Sequence, residues 1–246
     1  LNIWLKYEPS SKNANSYKRS AFEALGKDIS DVDKERWESE PSNIQYGIDY
    51  IEALKIAGDN EKIIEVSNEL LIYDRFNRQV LHNLAEIYQN IYSEDRALEI
   101  YRTLIKIDPT NYKVALEISE ILISKEQFKD ALMWAEKAIS ISGKKGEAVY
   151  QRAEVYFEIA ENCSANENEM SHWTRAVYEF SWQDYMAAYN MGYKQALSRK
   201  LWLEEGKIIT QIGTWFQLEP SIEIKLSACP LDCYSWIDKT LKKRNL

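Results

Sequence analysis

The chain has 246 residues, 45% of them hydrophobic and 28% charged, with only 8 Gly and 5 Pro and a formal net charge of −8. That is enough apolar material for a core and too few breakers for a turn-rich β fold, while the acidic balance disfavours binding to phosphate backbones. No run approaches a membrane span, and three cysteines are too few for a disulfide scaffold or an all-cysteine zinc site.

Residues 1–43 predict an ordered N-terminal arm or a degenerate leading repeat. SYKRSAFEALG reads as a helix ending near Gly26, and DISDVDKERWESEP as an acidic stretch anchored by Trp37. From Ile44 onward the chain becomes periodic. Units begin at Ile44, Arg78, Tyr112 and Gly146, each 34 residues after the last. Place eight is Ile51, Ala85, Ser119 and Ala153; place twenty is Ile63, Ala97 and Ala131. Small residues there let two helices approach. The breakers Pro109 and Gly143 at place thirty-two end the second helix and turn the chain into the next unit. Each unit is therefore helix A, a turn and helix B. One such hairpin cannot bury its own apolar face, so the units must stack.

These landmarks resemble the tetratricopeptide repeat. The best-kept unit, 78–111, carries Leu84-Ala85, Tyr88, Ala97, Tyr101 and Pro109 at the family's marked places. The unit at 112 keeps Leu122, Ala131 and Ala138. The unit at 44 departs, with Ile51 and Ile63 at the two small places. The unit at 146 keeps its helix A, roughly Glu147–Asn162, and then takes an 11-residue polar insertion near CSANENEM, expected as a surface loop. The resemblance implies an all-α, right-handed superhelical stack of helix-turn-helix repeats over 44–162.

Residues 163–206 predict the inserted loop and capping helices. SHWTRAVYEFSWQDYMAAYNMG should be one long helix, capped by Ser171 and stopped by Gly192, with apolar residues on two faces. A further helix is expected at about Tyr193–Glu205. Residues 207–246 predict a short β-containing tail, in which IEIKL alternates like a half-buried strand and CYSWI returns after Pro230 as its hairpin partner. The ending WIDKTLKKR resembles that of secreted or periplasmic tetratricopeptide proteins of Bacteroidota, which finish with a strand carrying Trp-Ile. That likeness implies an extracytoplasmic location, periplasmic or secreted, with a cytoplasmic one as the alternative.

In the family the A helices line the concave face, so functional residues are expected there. Place nine is glutamate in all four units: Glu52, Glu86, Glu120 and Glu154. Asp49, His82, Asn83, Asn90, Glu117 and Tyr150 lie on the same predicted face, and Ile48, Leu116 and Phe157 are expected as apolar contacts beside them. A row of carboxylates draws a cationic partner, although glutamate is also a common residue on wet helix faces. The carboxylate clamp of co-chaperone relatives is absent, because place nine carries the wrong charge for an anionic tail. Cys229 and Cys233 could form a disulfide, or be two small semi-buried residues in the hairpin. Joining Cys163 and His172 as zinc ligands would need a spacing that does not fit, and no metal or cofactor is expected. The two histidines, His82 and His172, have no nucleophile elbow or phosphate loop around them, and no catalysis is expected. The expected function is a non-catalytic adaptor or scaffold binding a protein or peptide segment, with no nucleic-acid partner. The rival is a fixed structural subunit of a larger, envelope-associated assembly, held by its convex face or ends. Oligomeric state is left open.

Overall fold

The computed structural model describes residues 2–8, 11–26, 30–165, 169–218 and 223–243. Its contacts divide into two compact units, residues 1–107 and 108–246. The boundary falls at the Asp108-Pro109 exit, between the second and third 34-residue repeats.

The first unit contains α1 (Asn2–Tyr7), α2 (Lys12–Ala24), α3 (Ser30–Ser39), α4 (Ile44–Ala57), α5 (Asn60–Tyr73), α6 (Arg78–Asn90) and α7 (Glu94–Ile107). The second contains α8 (Tyr112–Ser124), α9 (Phe128–Ser142), α10 (Gly146–Ser164), α11 (His172–Asn190), α12 (Ala196–Glu205), α13 (Ile212–Gln217), β1 (Glu223–Lys225), α14 (Asp232–Ser235) and β2 (Thr240–Lys242). The helix pairs α4–α5, α6–α7, α8–α9 and α10–α11 pack as antiparallel hairpins. Their first helices start at Ile44, Arg78, Tyr112 and Gly146, the register read from the sequence.

The same register repeats in the backbone. At the turn inside the first three hairpins, the N–H at place sixteen donates to the carbonyl at place eleven: Asp59 to Leu54 at 3.1 Å, Ser93 to Tyr88 at 2.7 Å and Gln127 to Leu122 at 2.8 Å. The residue before the donor is left-handed in each case, and only the first is glycine: Gly58 (φ 75°), Tyr92 (φ 57°) and Glu126 (φ 56°). Place thirty-four supplies helix caps. Asn77 Oδ1 accepts the Val80 N–H at 3.1 Å, and Asn111 Oδ1 accepts the Val114 N–H at 3.4 Å.

The small places are fully buried, as stacking requires. Ala85, Ala97, Ala131 and Ala153 have no exposed surface, and buried Ser119 Oγ donates to the Ala131 carbonyl at 2.9 Å. The first repeat compensates for its bulky Ile51 and Ile63 by moving the close approach one turn back. A Cβ on Gly47 would lie 2.4 Å from Leu70 Cδ2, so the missing side chain at 47 is what admits Leu70 to the cluster around Trp37, Ile51 and Ile63.

The insertion is only partly a loop. α10 runs to Ser164, 19 residues against 13 for α8, so much of the added sequence lengthens a helix. Tyr178 OH donates to Glu161 Oε1 at 2.6 Å and ties that extension to α11. Residues 166–168 of the insertion lie outside the described residues. Ser171 caps α11 by accepting the Thr174 N–H at 3.1 Å, and Gly192 (φ 92°) follows its end.

α11 is covered on its second face by the tail. Trp182 Nε1 donates to Glu204 Oε1 of α12 at 2.8 Å, and Arg175 Nη1 donates to the Lys207 carbonyl at 2.8 Å. Buried Glu179 accepts from the N–H and the hydroxyl of Thr210, and the Thr174 and Tyr234 hydroxyls meet at 2.8 Å. The two strands pair antiparallel, with Ile224 opposite Leu241. β1 falls within the expected IEIKL segment, although Ile222 lies outside the described residues. The predicted partner CYSWI is not a strand. It holds the single turn α14 and the residues just after it, and the true partner is Thr240–Lys242. Tyr234 and Ile237, three apart, are both buried, which is a helical spacing. Trp236-Ile237 therefore precedes the strand rather than lying in it.

Candidate functional site

In the first unit, α4 and α6 bring their acidic face together around a lysine. Lys55 Nζ donates to Asn83 Oδ1 at 2.8 Å and to Glu86 Oε2 at 3.0 Å, and lies 3.7 Å from Glu52 Oε1. Asn83 Nδ2 donates to Glu52 Oε1 at 3.3 Å, and His82 Nε2 lies 3.3 Å from Glu86 Oε1. Asp49 is engaged by Arg36 Nη1 at 2.9 Å and by Gln45 Nε2 at 2.8 Å. Five of the expected binding residues thus satisfy one another or a neighbouring cation. Asn83 is buried, not a wet amide waiting for a peptide, because its carboxamide is the hinge between Lys55 and Glu52. Asn90 remains exposed at the end of α6. Ile48, expected as an apolar contact, is buried in the core cluster instead. The residue missed was Lys55, which occupies place twelve of its repeat, on the same predicted face.

The second unit keeps its acidic face open. A cleft of 420 Å³ lies between α8 and α10, and Tyr193 closes one side. Five carboxylates line it: Glu117, Glu120, Glu147, Glu154 and Glu158. Its apolar lining is Leu116, Ile123 and the rings of Tyr150 and Tyr193, whose centroids lie 5.0 Å apart. Leu116 contributes only a buried edge, and Phe157 is buried outside the cleft, with the Arg199 guanidinium over its ring and Trp202 in edge-to-face contact.

Individual carboxylates in the cleft differ. Glu154 accepts from Tyr185 OH at 2.7 Å and from Arg199 Nη2 at 3.2 Å. Glu147 accepts from Tyr112 OH at 3.1 Å. Glu120 is exposed at the mouth. Burial, and then the Glu154 charge, hold the Glu158 carboxyl above the usual carboxylate range, with Arg199 opposing. Burial and the bond to Glu154 likewise push the Tyr150 phenol up. Arg199 comes from α12, outside the repeats, so no repeat pattern points to it.

Cys229 and Cys233 are not joined. Cys229 is buried, with its Sγ accepting the Leu231 N–H at 3.4 Å, and Cys233 lies in α14. The helical turn that holds Cys233 takes the place of the hairpin that would have set the two face to face. Among the described residues, no group of three or more His, Cys, Asp or Glu side chains is placed to hold a metal ion. No helix among them is long and apolar enough to cross a membrane.

No family model matches the chain, and no curated protein matches it. Solved structures do. A crystal structure of MamA aligns at TM-score 0.57 and 14% identity, covering 72% of this chain and 96% of its own. Residues 41 to the end of MamA from Desulfovibrio magneticus RS-1 align at TM-score 0.57 and 11% identity, covering 74% and 96%. A tetratricopeptide repeat protein from Parabacteroides merdae aligns at TM-score 0.46 and 16% identity, covering 77% and 98%, a score too low to add to the assignment. At these identities the likeness is one of fold, and with the 34-residue register of the helices it makes this a tetratricopeptide-like helical-repeat fold with a short two-stranded sheet in its C-terminal region.

Proposed function

We propose that the chain is a non-catalytic protein-interaction module, and that its second unit captures a cationic segment of a protein partner in the α8–α10 cleft. The observation that carries this reading is the five-glutamate lining, countered at Glu154 by Arg199. A lysine or arginine entering the cleft would lay its aliphatic stem along Tyr150 and Tyr193 and its charge among the carboxylates. The acidic cluster of the first unit has a different role. Its charges are held by Lys55 and Arg36, so it braces α3, α4 and α6 and contributes little to binding. This narrows the expected binding residues to Glu117, Glu120, Tyr150 and Glu154.

The test is fluorescence anisotropy with a labelled nonapeptide rich in Lys and Arg. Wild-type protein should bind it, more weakly as salt rises. Replacing Glu117 and Glu120 with Lys should weaken binding by at least about tenfold, through lost attraction and new repulsion, with the melting temperature held. Glu52→Gln with Glu86→Gln should change affinity less than about twofold, since Lys55 and Asn83 already engage those carboxylates. Equal affinity in the wild type and the Glu117/Glu120 variant would remove the cleft as the site.

A further inference from the structure

The first unit carries a second cleft, of opposite character to the one above and independent of it. It measures 590 Å³ and lies where the end of α5, the start of α6 and the last turns of α7 meet. Leu71, Ile72, Phe76 and Leu81 form its apolar wall, and Arg75 and Lys106 stand among them. Two of these apolar side chains are unusually open for their size: Ile72 is 80% exposed and Phe76 58%. Single exposed apolar residues are ordinary on a protein surface, but two of this size beside one concavity make an apolar patch.

The charge around the cleft identifies what fits. In a chain of net charge −8, no carboxylate is among the residues lining this cleft. The two acids adjacent in sequence to lining residues, Glu69 and Asp74, are not among the lining, and Asp74 accepts from Asn77 Nδ2 at 3.0 Å. The Arg75 guanidinium lies 5.7 Å from the Phe76 ring centroid, which keeps the cation beside the apolar wall. Both cations are exposed and line the concavity from separate segments, Arg75 from the turn after α5 and Lys106 from the last turn of α7.

We infer that this cleft docks an acidic amphipathic segment of a protein partner. Its large apolar side chain enters between Leu71, Ile72 and Phe76, and its carboxylates meet Arg75 and Lys106. Apolar anchors supply the affinity, and the cations fix orientation and exclude basic segments. Such a site is separate from the cationic-segment cleft of the second unit, and the two select partners of opposite charge.

The probe is a labelled dodecapeptide of Asp and Glu with Leu and Phe spaced i, i+4. Binding is read by anisotropy alongside thermal melting. Wild-type protein should bind it, and the same peptide with Lys in place of the acids should not compete. Arg75→Glu with Lys106→Glu should weaken binding by at least about tenfold, and Phe76→Ser should do the same, with melting temperature unchanged because these side chains are exposed. The nonapeptide rich in Lys and Arg should not displace it, which keeps this result separate from that of the glutamate cleft. No binding at about 1 mM peptide, equal affinity in both variants, or competition by the Lys peptide each overturns the assignment. So does a concentration-dependent dimer that Phe76→Ser dissolves, because the face would then belong to a second copy of the chain.

Discussion

Place fifteen of the repeat is where the first three hairpins turn left-handed, and the chain fills it with Gly58, Tyr92 and Glu126. A non-glycine residue there costs about 1–2 kcal/mol, while glycine gives back about 0.5–1 kcal/mol in unfolded-chain entropy. Tyr92 is 92% exposed, so its ring contributes little packing to offset that cost. Tyr92→Gly is therefore expected to stabilise the protein by up to about 1 kcal/mol. The mirror change, Gly58→Ala, should destabilise by about 1 kcal/mol although the space around Gly58 is empty, because the cost lies in φ and not in a clash. Urea midpoints at constant slope would check both, and a lower midpoint for Tyr92→Gly would show that no strain is stored at that place. Nothing in a tyrosine or a glutamate announces a left-handed backbone. Only alignment of all the repeats on one register reveals that Tyr92 and Glu126 stand where Gly58 does.

At the scale of elements, the pair α10–α11 is held by a two-pronged ion pair. Arg152 Nε and Nη2 each lie 2.7 Å from an Asp184 oxygen, and both side chains are largely buried. Lys239 of the tail sits over the Tyr156 and Phe180 rings nearby, with its amine pushed below the usual lysine range by burial and then by Arg152. Asp184→Ala would leave two cations without their shared counter-charge, at a cost of about 3 kcal/mol. Arg152→Met combined with Asp184→Leu should recover most of that loss, because a well-packed apolar pair needs no desolvation repaid. Equilibrium unfolding of the single and double variants decides it: a double variant no more stable than Asp184→Ala would place the cost in shape and not in charge. This pairing was not legible from the repeat, since Asp184 lies past the insertion that breaks the register. The helix starts were legible because a 34-residue period survives many substitutions. The strand assigned to CYSWI failed because five residues cannot separate a period of two from one of three, and the Thr174–Tyr234 contact that arbitrates is long-range. The candidate site was legible as a stripe of glutamates, but which of them stay open depends on Lys55 and Arg199, cations that the repeat does not mark.

At the scale of the whole molecule, alkaline pH should act first on the second unit. Burial raises the phenol pKa of Tyr150, Tyr156, Tyr178, Tyr185 and Tyr193 there, and Glu154 adds to the effect at Tyr150 and Tyr185. In the first unit, Tyr50 is raised by burial as well. A phenol whose folded pKa exceeds its unfolded value of about 10 contributes stability that is complete below pH ~10. Above that pH the unfolded chain ionises while the folded one cannot, and each such phenol takes away about 1.4 kcal/mol per pH unit until its folded pKa is reached. Lys239 has the opposite sign. Its folded pKa is depressed, so the fold penalises its charged form, and losing the proton favours folding as pH approaches about 10.4. One lysine cannot offset five phenols in the same unit. Tyrosinate absorbance and far-ultraviolet ellipticity followed together across an alkaline titration should therefore show two phases. The buried rings ionise in the same step that loses helix, after a first phase that leaves helix content intact. Tyr185→Phe should move that second step to higher pH, since it removes a group whose ionisation drives unfolding, provided the lost bond to Glu154 does not lower stability at neutral pH by more than about 1 kcal/mol. Complete tyrosine ionisation near pH ~10 with the helices intact would mean that these rings open to solvent without unfolding, and the packing of α10 against α11 would then have to be far looser than the contacts around Tyr156 and Tyr185 imply.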